Sequence, residues 1–315
     1  MLLDFGTAAN ISTEATSGSI LFGAVDTAKY SGDLISVNVY PDEEGGRVIS
    51  FTVAFTSLSA SSSSGTDQLT PSNYASAAIL DSGTTITLLP DDIARTVFEE
   101  LGAQNSEQLG AVVVPCTLAQ NTGTLNYQFG GVGGPTIKVA MSQLVLPLVL
   151  SNGEVPTYTN GEAACQLGIE AAGTLPVLFG DTFLRSAYAV YDLENNRIAL
   201  AQTDFNATGS NVVAFPSQGA SIPSATSASN EAAVTQTATG IPKEGNTVTA
   251  TGAGGTATFN PTTTGLSAAS GFAATSTSKK SDVGEGPRPF QYSTLIVGLI
   301  SMLGMGIGGG IFAFL

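Results

Sequence analysis

The chain has 315 residues, 43% of them hydrophobic and 11% charged, with a formal net charge of −15. The first 205 residues hold 21 of the 25 acidic and 6 of the 10 basic side chains, so the remainder is neutral and the acidity belongs to one part of the molecule. An acidic surface argues against nucleic acid or anionic lipid as a partner. The chain has no His, which removes the usual general base, the Ser/His and Cys/His nucleophile pairs and the commonest transition-metal ligand. Two cysteines, Cys116 and Cys165, do not make a zinc site. No metal or cofactor is expected, and any catalysis falls to carboxylates.

In chain order, residues 18–25, 34–40, 48–58, 77–88, 136–149 and 187–201 are β-branched or aromatic runs bounded by Gly, Pro, Asn or Asp. They predict an all-β body over residues 1–205, counted as one domain. A helix is predicted over 90–101, with acidic residues at its start, Ile93, Val97, Phe98 and Leu101 on one face, and Gly102 as its stop. Asn195 and Asn196, between Tyr191-Asp192-Leu193 and Ile198-Ala199-Leu200, signal a hairpin, because Asn tolerates positive φ. Residues 206–286 are rich in Ser, Thr, Ala and Gly and read as a disordered stalk, with or without O-linked sugar. Glycosylation sequons stand at Asn10 and Asn206.

Residues 287–315 are a polar spacer followed by an uncharged apolar run over 295–315. A glycosylphosphatidylinositol signal needs a small attachment residue, a spacer of about 8 to 12 residues and an apolar tail. Gly284, with Ser281 as the alternative, satisfies the first requirement. A single-pass helix is the competing reading, since about 20 apolar residues span a bilayer, but no basic cluster follows the run. Either way the expected place is the cell surface, anchored to the plasma membrane or the wall. There a disulfide is expected in preference to two free thiols.

The chemistry-bearing motif is Ala78-Ile79-Leu80-Asp81-Ser82-Gly83-Thr84-Thr85. A carboxylate at the end of an apolar strand is partly desolvated, while hydroxyls and N–H groups of its own loop fix its direction. An ordinary Asx turn closing a strand would use the same residue types. A second element sets the two readings apart: Leu175-Pro176-Val177-Leu178-Phe179-Gly180-Asp181-Thr182-Phe183-Leu184-Arg185, an apolar run broken by a glycine.

With these motifs in hand, the chain resembles the C-terminal lobe of the bilobal pepsin-like aspartic endopeptidases, most closely the fungal yapsin and candidapepsin type, over nearly all of residues 10–205. Ser17 to Asp26 with Lys29-Tyr30-Ser31-Gly32 is similar to the segment that opens this lobe, and Tyr191-Asp192 with Ile198-Ala199-Leu200-Ala201 to its closing hairpin. The resemblance implies that Asp81 is one of two catalytic aspartates, supported in its loop by Ser82, Gly83 and Thr84. Ile79 and Thr85 would line the cleft and contact a protein or peptide substrate. Leu178, Phe179 and Gly180 would form the ψ-loop crossing beneath, with Asp181 structural, and Cys116 and Cys165 would form the lobe's single disulfide.

The mechanism implied needs two carboxylates sharing one proton, and no second apolar-apolar-Asp-Thr/Ser-Gly loop precedes Asp81. Nor does Met1-Leu2-Leu3-Asp4 resemble a secretory leader. The expectation is therefore a chain lacking the N-terminal lobe that would be its partner, and inactive alone. A non-catalytic surface protein using one lobe as a binding or structural module is the alternative. Twofold pairing of two copies of Asp81 is a third possibility.

Overall fold

The computed structural model describes residues 2–5, 18–42, 46–107, 109–150, 152–238, 258–259, 268 and 271–272. Asn10, Ser281, Gly284 and residues 287–315 lie outside them. Among the described residues no helix is long and apolar enough to cross a membrane.

Three larger sheets make most of the body, with two two-stranded pairs beside them. The first runs in the order Gly18–Leu21, Leu2–Phe5, Ala187–Asp192, Arg197–Thr203, Tyr30–Asn38, Ala225–Ser227. The second runs Thr136–Ala140, Thr124–Phe129, Thr52–Ser61, Ser76–Leu80, Val177–Phe179, Thr87–Leu89, Ile169–Ala171, with Thr66–Gln68 added on Thr52–Ser61. The third runs Val145–Leu146, Ala164–Leu167, Ala111–Pro115, Gln104–Ser106. The all-β expectation holds, with short helices between strands.

The core sits under the second sheet. Phe55, Tyr127, Phe129, Phe179 and Phe183 are fully buried and touch ring to ring, with Phe179 and Phe183 centroids 4.8 Å apart and Phe179 and Phe55 5.1 Å apart in an edge-on arrangement. Such tilted pairs let the positive ring edge meet the negative face. Helix Asp91–Leu101 covers one side with Ile93, Ala94, Val97 and Leu101. It stops at Gly102, whose φ of 64° is left-handed and whose N–H reaches the carbonyls of Glu99 and Phe98. Phe98 is only partly buried, and Glu100 takes a buried place on the inner side instead.

Three strand predictions divide. The run 18–25 is split into Gly18–Leu21 and Ala24–Asp26, which lie in different sheets. The run 77–88 is split into Ser76–Leu80 and Thr87–Leu89 by the Asp81 loop, and 136–149 is interrupted by helix Met141–Leu144. Met141 and Leu144, three apart, are both buried, so helical spacing puts them on one face. The hairpin forms as expected between Ala187–Asp192 and Arg197–Thr203, with Asn196 at φ 50°.

The stalk expected from 206 instead continues the body through residue 238. Strand Val212–Ala214 pairs antiparallel with Ala24–Asp26, and Ala225–Ser227 lies parallel to Leu34–Ser36. The Glu231 carboxylate accepts the Asn38 N–H (2.6 Å) and pairs with Arg197 at 3.0 Å. Open strand edges offer unpaired N–H and C=O groups whatever the side chains. A polar segment is therefore held here by backbone bonds that its composition does not announce.

Cys116 and Cys165 form a disulfide, Cα atoms 5.0 Å apart and 49 residues apart in sequence. It joins the ends of two strands that pair Val114 with Cys165. Loop-closure entropy for such a span corresponds to about 4 kcal/mol. Replacing Cys116 by Ser and Cys165 by Ala lowers stability toward that amount, read from the denaturant midpoint. An unchanged midpoint would show that the reduced lobe already holds these strands together.

Candidate active site

Strand Ser76–Leu80 is apolar because it lies inside the second sheet, between Thr52–Ser61 and Val177–Phe179. Its partner Val177–Phe179 runs parallel to it in the register Val177 to Ala78, Leu178 to Ile79 and Phe179 to Leu80, and its other edge meets Leu88 antiparallel through Leu178. Asp81 therefore leaves the sheet at a defined point, its N–H donating to the Phe179 carbonyl at 3.1 Å.

The loop then turns back on the carboxylate. The Gly83 N–H donates to Asp81 Oδ1 at 2.9 Å and the Thr84 hydroxyl to Oδ2 at 2.6 Å, so each oxygen has one donor from within three residues. Asp81 and Thr84 are partly buried, whereas Ser82, Gly83 and Thr85 are exposed. Ile79 is partly buried against Leu88, Ala172 and Leu178, with Ile86 and Leu175 beside them, forming an apolar surface next to the loop. A carboxylate with two fixed donors beside an apolar patch can take a proton from, or return one to, a bound polar group whose neighbours are apolar.

The second motif closes the site from below. The Asp181 N–H donates to the Thr84 carbonyl (2.8 Å) and the Thr182 N–H to the Thr85 carbonyl (3.1 Å). Gly180 lies against the loop so closely that a Cβ there would stand 2.2 Å from the Thr84 carbonyl oxygen. Sequence reading missed Thr182 and Thr87. The Thr182 hydroxyl donates to the Gly168 carbonyl (2.9 Å) and lies 3.2 Å from the Thr87 hydroxyl, fully buried, which ties the two sides of the crossing together. The available signal was a lone hydroxyl residue inside each apolar run, since such a group needs a partner when buried.

A cavity of about 590 Å³ opens at the other ends of these strands, lined by Ala75, Ser76, Leu175, Val177 and Val234 among others, and does not include Asp81. The loop's chemistry, rather than the concavity, marks the site.

Asp181 behaves unlike Asp81. Its Oδ1 is buried without a hydrogen-bond partner among the described residues. Burial, opposed by the Arg185 guanidinium and reinforced by the Asp81 charge, pushes its carboxyl up to about 6 from the ordinary 3.8. The folded state therefore binds this proton more tightly than the unfolded chain, so stability is gained as pH falls from about 6 toward 3.8 and lost as it rises again. The gain is up to about 3 kcal/mol. Asp181→Asn should flatten that part of the stability profile when denaturant midpoints are compared at acid and neutral pH. Equal slopes in the two proteins would remove Asp181 as the cause.

Comparison with known proteins identifies the family of the chain. Residues 5–203 match the family described as eukaryotic aspartyl protease. The chain belongs to that family. It is 40% identical over 217 residues to a probable aspartic-type endopeptidase, opsB, of Aspergillus oryzae, covering 69% of this chain and 42% of the relative. It is 36% identical over 197 residues to secreted aspartic protease 9 of Candida albicans, covering 61% and 33%. Among solved structures, an aspartic proteinase from Irpex lacteus superposes with a TM-score of 0.48 at 24% identity, covering 67% of this chain and 58% of that one. The chain thus spans less than half the length of these curated relatives.

Proposed function

We propose that this lobe supplies Asp81 as one of the two carboxylates of an aspartic-type endopeptidase, the other coming from a second lobe. The reading rests chiefly on one observation, that both Asp81 oxygens are held by donors of their own loop while that loop is braced from below by the Gly180-Asp181 crossing. Membership of an enzyme family and the names of the relatives support it. The small share of each relative that the chain spans supports the second lobe.

In this mechanism two carboxylates close together share one proton, because both cannot ionise at short range. The ionised one takes a proton from water as the water attacks the peptide carbonyl, and the protonated one polarises that carbonyl. Thr84 and Gly83 orient Asp81, and Ile79 and Thr85 border the bound peptide. Asp181 carries structure rather than chemistry. The protein acts outside the cell, as the secreted relative suggests, with exposed Asn206 as a sugar acceptor and with Asn10, Gly284 or Ser281 and residues 287–315 serving glycosylation and lipid or membrane anchoring. Hydrolysis of a denatured protein at acid pH by the lobe joined to its second lobe tests the assignment. Absence of cleavage there would leave a non-catalytic surface module as the better reading.

A further inference from the structure

The lobe carries an occupied peptide socket at the end of strand Thr52–Ser61 remote from Asp81. Thr52 pairs with Ile79 near the catalytic loop, and Ser61 lies nine residues further along the same strand. At a rise of about 3.3 Å per residue that is roughly 30 Å. Around that far end stand Ser62, Glu100 from the last turn of helix Asp91–Leu101, and Asn121 and Gly123 from the turn before strand Thr124–Phe129.

Each of these meets a short piece of the chain's C-terminal region. The Glu100 carboxylate accepts the Ala268 N–H, the Ser62 hydroxyl donates to the Ala268 carbonyl (3.0 Å), and the Asn121 amide donates to the Gly271 carbonyl (3.1 Å). The Gly271 N–H closes a tight turn onto the Ala268 carbonyl at 3.0 Å, with Ala268 at φ 48°. Ala268 is 0% and Phe272 3% exposed, and both belong to the main core cluster.

Bonds within the lobe orient two of these groups. The Asn121 side-chain Oδ1 accepts the Gly123 N–H at 2.8 Å, and the Ser62 hydroxyl oxygen accepts the Ser64 N–H at 2.9 Å, so both donors are aimed by bonds within the lobe. Glu100 is 7% exposed with the segment seated on it. Burial lifts its carboxyl above the ordinary range, the Ala268 N–H opposes that rise, and the nearby Asp67 adds to it. The carboxyl thus meets both the Asp67 side chain of the lobe and the N–H that the segment brings.

Sterics define what the socket accepts. A Cβ at position 123 would stand 2.3 Å from Phe272 Cε1, and one at 271 would stand 1.9 Å from the Ser62 hydroxyl oxygen. The floor must therefore be glycine to admit the ring, and the residue before the ring must be glycine to pass Ser62. A second backbone contact, Thr258–Phe259 parallel to Thr157–Tyr158, brings the same region of chain onto the lobe.

We infer that Ser62, Glu100, Asn121 and Gly123 form a recognition socket for a Gly-aromatic turn, filled in the same molecule by Ala268, Gly271 and Phe272, which clamps the Ser/Thr-rich C-terminal region onto the lobe away from the active site. Whatever follows residue 272 then departs from a fixed point on the lobe instead of from its last strand.

Hydrogen exchange on the full chain tests this. The Ala268 and Gly271 amides should exchange at least ~100-fold more slowly than an unstructured peptide. Gly123→Val in the socket and Phe272→Ser in the segment should each cut that protection to under ~10-fold, while strands Thr52–Ser61 and Thr124–Phe129 keep theirs. The retained strands show that the lobe has folded, and Phe272→Ser decides the matter if the valine does not fit the core. Unprotected amides in the unsubstituted chain, or protection that survives Phe272→Ser, overturn the inference. Protection that rises with protein concentration would assign the socket to a second copy's segment and overturn the intramolecular clamp.

Discussion

Asp81→Asn is expected to cut peptide hydrolysis sharply in the two-lobed enzyme proposed above while leaving the fold intact. The amide has the same shape, and the Asn oxygen can still accept the Gly83 N–H that now lies 2.9 Å from Oδ1. The Thr84 hydroxyl, which donates to Oδ2 at 2.6 Å, can rotate to accept from the new NH₂. Position and stability are therefore kept. What is lost is the ability to carry a negative charge and to exchange a proton, on which both roles of a carboxylate pair depend. The expected result is a fall in kcat on the order of a thousand-fold with little change in KM, because binding groups are untouched and only transition-state chemistry is removed. Steady-state kinetics on a peptide substrate at acid pH would show it, with thermal unfolding as the control for folding. A variant retaining more than about a tenth of the activity would exclude Asp81 from acid–base work.

Gly180→Ala is the second large effect, and it falls on stability first. Gly180 has φ −88° and ψ −160°, an extended backbone that any residue adopts, so the constraint is space alone. An alanine Cβ would stand 2.2 Å from the Thr84 carbonyl oxygen and 2.4 Å from that of Ile86. Both are main-chain atoms of the Asp81 loop, which cannot turn aside as a side-chain tip could. The Thr84 carbonyl also accepts the Asp181 N–H, so moving it breaks a buried bond. Overpacking of this kind costs about 3 kcal/mol, or roughly 6 to 12 °C in Tm for a body of this size. Activity of the surviving protein should fall as well, because Thr84 carries the hydroxyl that holds Asp81 Oδ2. Gly83→Ala is the comparison: its Cβ would lie 3.2 Å from Asp81 Oδ1 on an exposed loop, and the shift in Tm should be small. A Gly180→Ala midpoint within about 1 °C of the parent would show that the crossing is looser than its geometry implies.

The inferred C-terminal clamp and the Asp81 loop sit at opposite ends of one strand, Thr52–Ser61, with the buried aromatic cluster between them. Substitutions in the socket are therefore expected to leave the Asp81 loop's hydrogen bonds as they are. Sites this far apart with no shared partner usually behave additively.

How far the molecule could be read in advance differs from element to element. The Asp81 loop, helix 90–101 and the Asn195-Asn196 hairpin were legible because each depends on neighbours in sequence: a strand ended by Asp-Ser-Gly-Thr, an apolar face closed by Gly102, and two Asn tolerant of positive φ. The run 136–149 misled, because apolar content is the same for a strand and for the buried helical turn Met141–Leu144. Residues 206–238 misled for a different reason. Their polarity forecasts little burial, which is true of many of their side chains, but the bonds that fix them run from backbone to the open edges of Ala24–Asp26 and Tyr30–Asn38.

The order of residues thus decided the carboxylate, its two donors and the family to which they point, since both donors come from within three residues of Asp81. Only the tertiary structure decided that Gly180 must be glycine, that Thr182 faces Thr87, and that Phe272 lies against Gly123. Those facts join segments about 95 and 150 residues apart, and the energy that selects them comes from packing and hydrogen bonding once the sheets have formed.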